Sequence, residues 1–108
     1  MAKKRTIPKK ISPYVWGYLG ILEKQGVKID SAYVFGSWAK GTQHKNSDID
    51  VCIISPQFKN WKKKTKLLAR AQYDDFFDIE PHGFDKKNFN PKENPVAYEV
   101  LKHGIQIK

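Results

Sequence analysis

The chain has 108 residues, of which 40% are hydrophobic and 13% aromatic, so it is long enough for one compact domain with a modest core and too short for two. Twenty Lys and Arg residues against 11 Asp and Glu residues give a net charge of +9, which favours a polyanionic partner such as a nucleotide, a nucleic acid or an acidic protein surface. The single cysteine, Cys52, excludes an internal disulfide and a zinc ribbon and suits a reducing compartment.

Basic residues dominate the N-terminal segment of the chain. They are Lys3, Lys4, Arg5, Lys9 and Lys10. The segment lacks the apolar stretch of a signal peptide, and no later stretch is long enough to cross a bilayer. We therefore expect a flexible basic arm over residues 1–11 and a single domain over residues 12–108, in a cytoplasmic protein without membrane contact.

The first helix and the first strand are predicted from the residues at their ends. Ser12-Pro13 is typical of an N-cap followed by a first helical residue, and apolar residues recur at helical spacing over residues 14–25. Residues 32–35 are rich in β-prone side chains and stop at Gly36, which predicts the first strand.

Two further strands flank a second long helix in the prediction. Residues 48–54 carry branched apolar side chains and stop at a Ser-Pro pair, which predicts the second strand. Residues 60–74 have apolar residues at helical spacing with lysines on the outer face, and we place Trp61, like Trp16 of the first helix, in the core. Residues 76–80 predict the third strand.

The C-terminal segment supplies a last helix and a last strand. Asn94-Pro95 repeats the N-cap signal, residues 96–102 provide two helical turns, and residues 105–108 favour a final strand. The resulting order is α-β-β-α-β-α-β. The fold class is therefore α+β or α/β, with a small β-sheet covered by helices.

Two carboxylates stand at the start of the second predicted strand. Side chains alternate along a strand, so Asp48 and Asp50 share one face while the apolar residues beside them enter the core. Neighbouring carboxylates repel each other, and divalent cations such as Mg²⁺ neutralise them; a pair of such ions can clamp the oxygens of a phosphoryl transfer. The third strand supplies a further ligand: we favour Glu80, next to Pro81 at the strand end, with Asp78 as the alternative.

A Gly-Ser pair precedes these carboxylates, at the end of the first strand. Gly36 lets the backbone turn tightly and approach a ligand, and Ser37 can offer its hydroxyl and its N–H to a phosphate. If residues 37–40 form one helical turn, their free N–H groups point at the same anion. Ten residues then lead from Ser37 to Asp48, so the phosphate cradle and the metal ligands face each other.

These motifs together resemble the signature of a known family. Gly36-Ser37, ten residues, Asp48-Ile-Asp50 and a later carboxylate on a strand are similar to the minimal nucleotidyltransferases of the DNA polymerase β-type superfamily, over roughly residues 33–80. The resemblance implies a nucleotidyltransferase-like mixed sheet flanked by helices. It also implies binding of a nucleoside triphosphate such as ATP with two Mg²⁺ ions, and transfer of the nucleoside monophosphate to a hydroxyl with release of pyrophosphate.

By position, the resemblance also assigns roles to residues. The implied nucleotide-binding residues are Gly36, Ser37, Lys40 and Ser47. The implied metal-binding and catalytic residues are Asp48, Asp50 and Glu80. Glu80 would also help to activate the acceptor hydroxyl. Position 38, often basic in relatives, is Trp38 here, whose indole can stack on a base instead.

The resemblance further implies a partner that supplies the acceptor. Many minimal nucleotidyltransferases are encoded beside a small helical HEPN-type protein and assemble with it as antitoxin and toxin, and some adenylylate that partner on tyrosine. Because nothing after Lys108 can serve as an acceptor domain, we expect the acceptor in trans. The hypothesis is an Mg-dependent nucleotidyltransferase that moves AMP from ATP to such a partner and so acts as an antitoxin.

Two functional alternatives and three local interpretations stand beside this hypothesis. A catalytically weak, nucleotide-binding antitoxin would neutralise its partner by complex formation alone, and an RNA-directed nucleotidyltransferase would suit the +9 charge and the lysine-rich helix. Those lysines otherwise form a solvated helix face. We interpret His82 as a loop histidine and Cys52 as a small buried hydrophobic residue.

Overall fold

The computed structural model describes residues 6–72, 76 and 78–108. Part of the predicted arm (residues 1–5), the end of the predicted second long helix (residues 73–74) and residue 77 of the predicted third strand lie outside the described residues, as does residue 75. None of the helices within the described ranges is both long and apolar enough to cross a membrane.

Helices and strands follow in the predicted order, with two short helical turns between them. In chain order they are α1 (Ser12–Lys24), β1 (Ser31–Phe35), α2 (Ser37–Lys40), β2 (Ile49–Ile54), a 3₁₀ turn (Pro56–Lys59), α3 (Trp61–Ala71), β3 (Ile79–Phe84), α4 (Pro95–His103) and β4 (Ile105–Gln106). The four strands form one sheet in the order β3-β2-β1-β4. Strand β1 is antiparallel to β2 and β4, whereas β2 is parallel to β3. The predicted α+β class, with a small mixed sheet flanked by helices, is confirmed.

The two faces of the sheet bury different clusters of side chains. Alternation along the strands sends one set, including Val34 and Val51, against α1 and α3, where it forms the main core cluster. The other set, including Phe35 and Cys52, packs against α4 through Val100. The prediction of a buried Cys52 is confirmed, and burial raises the pKa of its thiol to about 12.

The predicted N-cap is present at α4 but not at α1, and α3 has a cap that was not predicted. The Asn94 side chain accepts the N–H groups of Val96 and Ala97, and Asn60 caps α3 in the same way. Helix α1 instead begins at Ser12, two residues earlier than predicted, without a side-chain cap. The reason is a preceding turn, in which the Pro8 carbonyl accepts the N–H groups of residues 11 and 12 and so starts the helix before Pro13.

The third strand lies further along the chain than predicted. It runs from Ile79 to Phe84 instead of over residues 76–80, so Pro81 lies inside the strand and does not end it. Strand β3 is at the edge of the sheet. Pro81 lacks a backbone N–H, but on the open side of an edge strand no neighbouring strand needs that donor. Six residue pairs in parallel register with β2 hold the strand in this position.

Two tryptophans predicted to be in the core are instead on the surface. Trp16 is 46% exposed and Trp61 is 69% exposed. The buried stripe of α1 includes Val15 and Leu19, and Trp16 is one helical step, about 100°, away from Val15. Trp61 is the first residue of α3, whose buried positions lie in its last turns. The predicted outward lysines of this helix, Lys62, Lys63 and Lys66, are exposed as expected.

Tyr18 connects α1 to the last turn of α3. Its buried hydroxyl donates a hydrogen bond of 2.9 Å to the carbonyl of Leu68, at a helix end where carbonyl groups lack helical partners. Burial raises the pKa of Tyr18, so the hydroxyl remains a donor at all ordinary pH values. The side chain therefore joins the two helices that cover the main core face.

We expect Tyr18→Phe to lower the free energy of unfolding by about 1–3 kcal/mol, because the substitution leaves a buried carbonyl without its donor. Urea denaturation of both proteins measures the difference. Tyr14→Phe is the matched control, since it removes the same hydroxyl from a side chain that is 51% exposed. Equal stability losses for the two variants would contradict the role given to the Tyr18 hydrogen bond.

Candidate active site

Gly36 lies where the end of β1 meets the carboxylate of Asp50. Its φ of 72° and ψ of −152° belong to a backbone region that residues with a side chain rarely adopt. Phe35 pairs with Asp50 in the antiparallel register, so the bend brings the backbone of residue 36 against that carboxylate. A Cβ atom at position 36 would overlap Oδ2 of Asp50. The glycine therefore permits a close approach between the β1 bend and an acidic side chain.

The predicted helical turn after Gly36 is present as α2. The Gly36 carbonyl accepts the N–H groups of Ala39 and Lys40, each at 3.1 Å, and Gly41 ends the turn at a φ of 75°. Ser37 opens the turn in a half-buried position. This end of the β1–β2 pair therefore carries both the glycine-serine bend and a carboxylate.

Trp38 fastens α2 to the loop that leads into β2. Its indole Nε1 donates to the carbonyl of Ser47 at 3.4 Å, and its ring packs against the main core cluster. Ser47 in turn closes a tight turn, because its hydroxyl oxygen accepts the His44 N–H at 2.8 Å and its own N–H donates to the His44 carbonyl at 3.0 Å. Both side chains therefore fix the loop between the glycine-serine bend and the acidic strand.

Asp50, Glu80 and His82 form one cluster across β2 and β3. Asp50 pairs with Glu80 in the parallel register, and His82 follows two residues later on the same face of β3. One donor atom from each side chain lies within 4.8 Å of the other two. The side chains of Asp50 and His82 are each 24% exposed and that of Glu80 is 54% exposed, so solvent reaches the cluster mainly past Glu80.

His82 is the member of this cluster that the sequence analysis did not include. Its Nε2 lies 3.5 Å from Oδ1 of Asp50 and 3.7 Å from Oε1 of Glu80, and its ring meets that of Phe35 edge-on with the centroids 5.0 Å apart. The interpretation as a loop histidine is therefore wrong, because His82 lies inside β3. The alternation of Glu80 and His82 along one strand face is the signal in the sequence, and Pro81 obscures it by suggesting a strand end.

The other acidic residues of the prediction contribute no donor atom to this cluster of described residues. Asp48 is exposed and immediately precedes β2, and Asp78 is exposed and immediately precedes β3. The Asp78 carbonyl accepts the Ile49 N–H at 2.9 Å, which extends the β2–β3 ladder by one bond. Of the two alternatives for a third carboxylate, Glu80 is the one that lies beside Asp50.

Lys40, at the end of α2, is paired with α4. Its Nζ lies 2.6 Å from Oε1 of Glu99, and the two side chains are 40% and 29% exposed. The hydrogen bond from Lys40, together with the positive charges of Lys40, His103 and Lys102, lowers the pKa of Glu99. A phosphate group that used Lys40 would have to compete with this carboxylate.

A cavity of about 620 Å³ lies on the opposite side of the sheet from the acidic cluster. Its lining includes Ile49 and Ile79, which belong to the main core cluster, together with the aromatic rings of Tyr14 and Trp38. Because neighbouring residues of a strand face opposite sides, the next residues along, at positions 50 and 80, point away from the cavity. The cavity and the acidic cluster are therefore separate features of the molecule.

The donor set of the acidic cluster fits a divalent cation. The two carboxylates offer the hard oxygen ligands that Mg²⁺ prefers, and the imidazole adds a nitrogen donor. Nε2 of His82 is shielded from solvent, faces the carboxylates, and makes no hydrogen bond with any described residue. Asp50, Glu80 and His82 can therefore hold a metal ion between β2 and β3, next to the glycine-serine bend.

A glycine-serine bend packed against paired carboxylates on two adjacent strands of a mixed sheet is the arrangement of a nucleotidyltransferase domain. The chain belongs to the polymerase beta nucleotidyltransferase family, whose model matches residues 19–108. The resemblance to this superfamily drawn from the sequence is thereby confirmed.

Two relatives support the same family at the level of sequence. The chain is 35% identical over 57 residues to the protein adenylyltransferase MntA of Shewanella oneidensis, a match that covers 48% of this chain and 41% of that protein. It is 36% identical over 53 residues to the candidate protein adenylyltransferase MJ0141 of Methanocaldococcus jannaschii, covering 48% of this chain and 54% of that protein. The chain thus spans about half the length of the curated relatives it matches.

Solved structures are similar to this chain at lower sequence identity. A candidate nucleotidyltransferase from Sulfolobus solfataricus is similar with a TM-score of 0.52 and 15% identity, over 86% of this chain and 84% of that one. A crystal structure of a toxin-antitoxin with AMP-PNP reaches a TM-score of 0.49 and 23% identity, over 82% of this chain and 68% of that one. The first of these likenesses supports the nucleotidyltransferase fold of the described residues.

Proposed function

We propose that this protein is a metal-dependent nucleotidyltransferase that moves AMP from ATP to a hydroxyl group of a protein. The observation that carries the proposal is the pairing of Asp50 with Glu80 on adjacent strands, directly against a glycine that cannot bear a side chain. That arrangement sets two carboxylates beside a bend of the backbone that can approach phosphates. Membership of the polymerase beta nucleotidyltransferase family supports the reaction class.

In this proposal each residue of the site has a defined task. Gly36 and Ser37 hold the triphosphate through backbone N–H groups and the serine hydroxyl, with further contacts from Lys40 and Ser47. Asp50 and Glu80, which pair across β2 and β3, would hold Mg²⁺, and Asp48, just before β2, would add a further carboxylate when the ions bind. When bound, the ions neutralise phosphate charge and polarise the reacting phosphoryl group.

The transfer itself exchanges one phosphorus–oxygen bond for another. The acceptor oxygen bonds to the α-phosphorus, the bond from that phosphorus to the bridging oxygen of the β-phosphate breaks, and pyrophosphate leaves. Glu80, at the solvent-exposed side of the cluster, accepts the proton of the acceptor hydroxyl. Asp50 stays beside it and would help to hold the metal ion that neutralises the phosphoryl group.

The acceptor in this proposal is a tyrosine of a small helical HEPN-type toxin, which the chain would neutralise as an antitoxin. A protein acceptor is supported by the two relatives, one named a protein adenylyltransferase and the other a candidate for that activity. The toxin partner is inferred from the Gly-Ser and Asp-x-Asp motifs, because they resemble those of the minimal nucleotidyltransferases.

The direct test is incubation with MgATP and the product of the adjacent gene, followed by intact mass measurement of both proteins. A mass gain of one AMP on the partner, absent with Asp50→Asn, is the expected result. Peptide mapping then identifies the modified side chain. If the two proteins form a complex and neither gains mass, the transferase proposal is overturned. Neutralisation by complex formation is then the remaining explanation. It should survive in an Asp48→Asn, Asp50→Asn double variant.

An RNA-directed transferase is a second candidate, favoured by the exposed lysines of α3. These side chains, Lys62, Lys63 and Lys66, share one helix with a net positive surface, in a chain of charge +9. Phosphate-driven RNA binding weakens steeply as the salt concentration rises. An RNA affinity that barely changes between low and moderate ionic strength would argue against this candidate.

We expect Glu99→Gln to lower the dissociation constant for MgATP about 1.4- to fivefold, because an exposed ion pair that competes for Lys40 is worth roughly 0.2–1 kcal/mol. Titration calorimetry measures the constant. Glu93→Gln removes the same charge from the turn before α4 and serves as the control. An unchanged or higher constant for Glu99→Gln alone would show that the carboxylate does not restrain Lys40 from the triphosphate.

A further inference from the structure

His82 has the position of a metal ligand that the family motifs do not include. Two donors bound to one transition-metal ion at about 2.1 Å lie about 3.0–3.4 Å apart in octahedral or tetrahedral geometry. The separations from Nε2 of His82 to Oδ1 of Asp50 and Oε1 of Glu80, 3.5 and 3.7 Å, exceed that range by only a few tenths of an ångström. Small side-chain movements would therefore bring the three atoms to one ion.

The environment of the ring supports a ligand more than a packing residue. Phe35 meets the imidazole edge-on and fixes its plane, while the parallel register sets it two residues beyond Glu80. A histidine buried for packing alone normally has its nitrogen atoms hydrogen-bonded. Here Nε2 is shielded from solvent, is aimed at two carboxylates, and has no hydrogen-bond partner within the described part of the chain.

We propose that His82 binds the metal ion of this site through Nε2, together with Asp50 and Glu80, and that this nitrogen makes the site prefer Mn²⁺ and other first-row transition ions to Mg²⁺. Mg²⁺ takes oxygen ligands almost exclusively, whereas an imidazole nitrogen raises the affinity for transition ions in the Irving–Williams order. One nitrogen and two carboxylates therefore change the metal selectivity of a site whose oxygen ligands alone would suit Mg²⁺.

The experiment detects the nitrogen–metal bond directly. Pulsed electron paramagnetic resonance of the full chain with Mn²⁺ alone should show the coupling of one directly bound ¹⁴N nucleus, which His82→Gln should abolish. Competition of Mg²⁺ against Mn²⁺ should show that His82→Gln reduces the preference for Mn²⁺ about tenfold or more. Substituting a residue that only hydrogen-bonds to a metal ligand already lowers metal affinity by about that factor, so the loss of a ligand should cost at least as much. The matched control is His103→Gln on α4, which should leave both measurements unchanged.

Circular dichroism of each variant establishes that it is folded, and wild-type ¹⁴N coupling provides a result that needs no variant. Absence of a bound-nitrogen signal in the wild-type protein at saturating Mn²⁺, or an unchanged metal preference in folded His82→Gln, would overturn the inference. The inference rests on the proposed function only for the role of the metal ion in AMP transfer, and not for the binding of the ion by His82. Nitrogen coupling without AMP transfer would support His82 as a metal ligand and overturn the proposed transferase activity. AMP transfer without nitrogen coupling would support the transferase activity and overturn the role of His82 as a ligand.

Discussion

Replacing Asp50 with asparagine should reduce AMP transfer on the order of 10³-fold while leaving the fold unchanged, since several kcal/mol of charge stabilisation by a metal correspond to that factor. Asparagine keeps the size of the side chain, so the contact with Gly36 and the β2–β3 register should persist. What is lost is the charge of the residue that touches both the glycine bend and the Glu80–His82 pair. Pyrophosphate release measures the rate, and urea denaturation measures the stability.

The controls for this prediction use the other acidic residues near strand ends. Asp30→Asn, just before β1, makes the same chemical change away from the cluster and should leave the rate unchanged. Glu80→Gln and Asp78→Asn together decide the third carboxylate, and we expect a large loss only for Glu80→Gln. A rate for Asp50→Asn within a few-fold of that of Asp30→Asn would remove the basis of the proposed function.

Replacing Gly36 with alanine should both destabilise the protein and abolish transfer. A side chain at a φ of 72° and ψ of −152° costs of order 1–3 kcal/mol in backbone strain, and the added Cβ overlaps the Asp50 carboxylate as well. We therefore expect the free energy of unfolding to fall by at least about 2 kcal/mol. Whichever way the overlap relaxes, Asp50 or the bend must move, so nucleotide binding is lost too.

Gly20→Ala is a control that adds the same methyl group but should raise the free energy of unfolding instead of lowering it. Gly20 lies inside α1, where a methyl group would meet no atom of the other described residues within 4 Å, and alanine is the better helix former. We expect that variant to gain about 0.5–1 kcal/mol and keep its nucleotide affinity. A Gly36→Ala protein that unfolds at the same urea concentration as the wild type and binds MgATP normally would contradict the close approach of the bend to Asp50.

Local signals in the sequence were sufficient to predict most of the helices and strands, because residues at the ends of each one indicate where it begins and stops. Asn94-Pro95 capped α4 as expected, and the branched residues of β2 formed a buried strand. The displaced strand β3 depends on something that local signals do not contain. Whether Pro81 ends a strand or lies within an edge strand is decided by pairing with β2, a contact between residues some 30 positions apart.

The site was predictable in part for the same reason. The spacing of Gly36-Ser37 and Asp50 follows from one hairpin-like unit, so the sequence alone places them together. His82 joins the cluster only through the parallel register, which also separates Glu80 from Asp78. The pairing of Lys40 with Glu99 connects residues from opposite halves of the chain and has no counterpart in any local motif.

The unequal covering of the sheet determines which ligands can interfere with one another. Helices α1 and α3 cover one face, where α1 also borders the cavity beside Ile49 and Ile79, whereas the acidic cluster lies on the face that α4 covers. Because Trp38 and Ser47 also line that cavity, a small molecule bound there would meet the loop that the proposal assigns to the triphosphate, from the side opposite the metal ligands. Such a molecule would therefore compete with ATP and leave the metal ion in place.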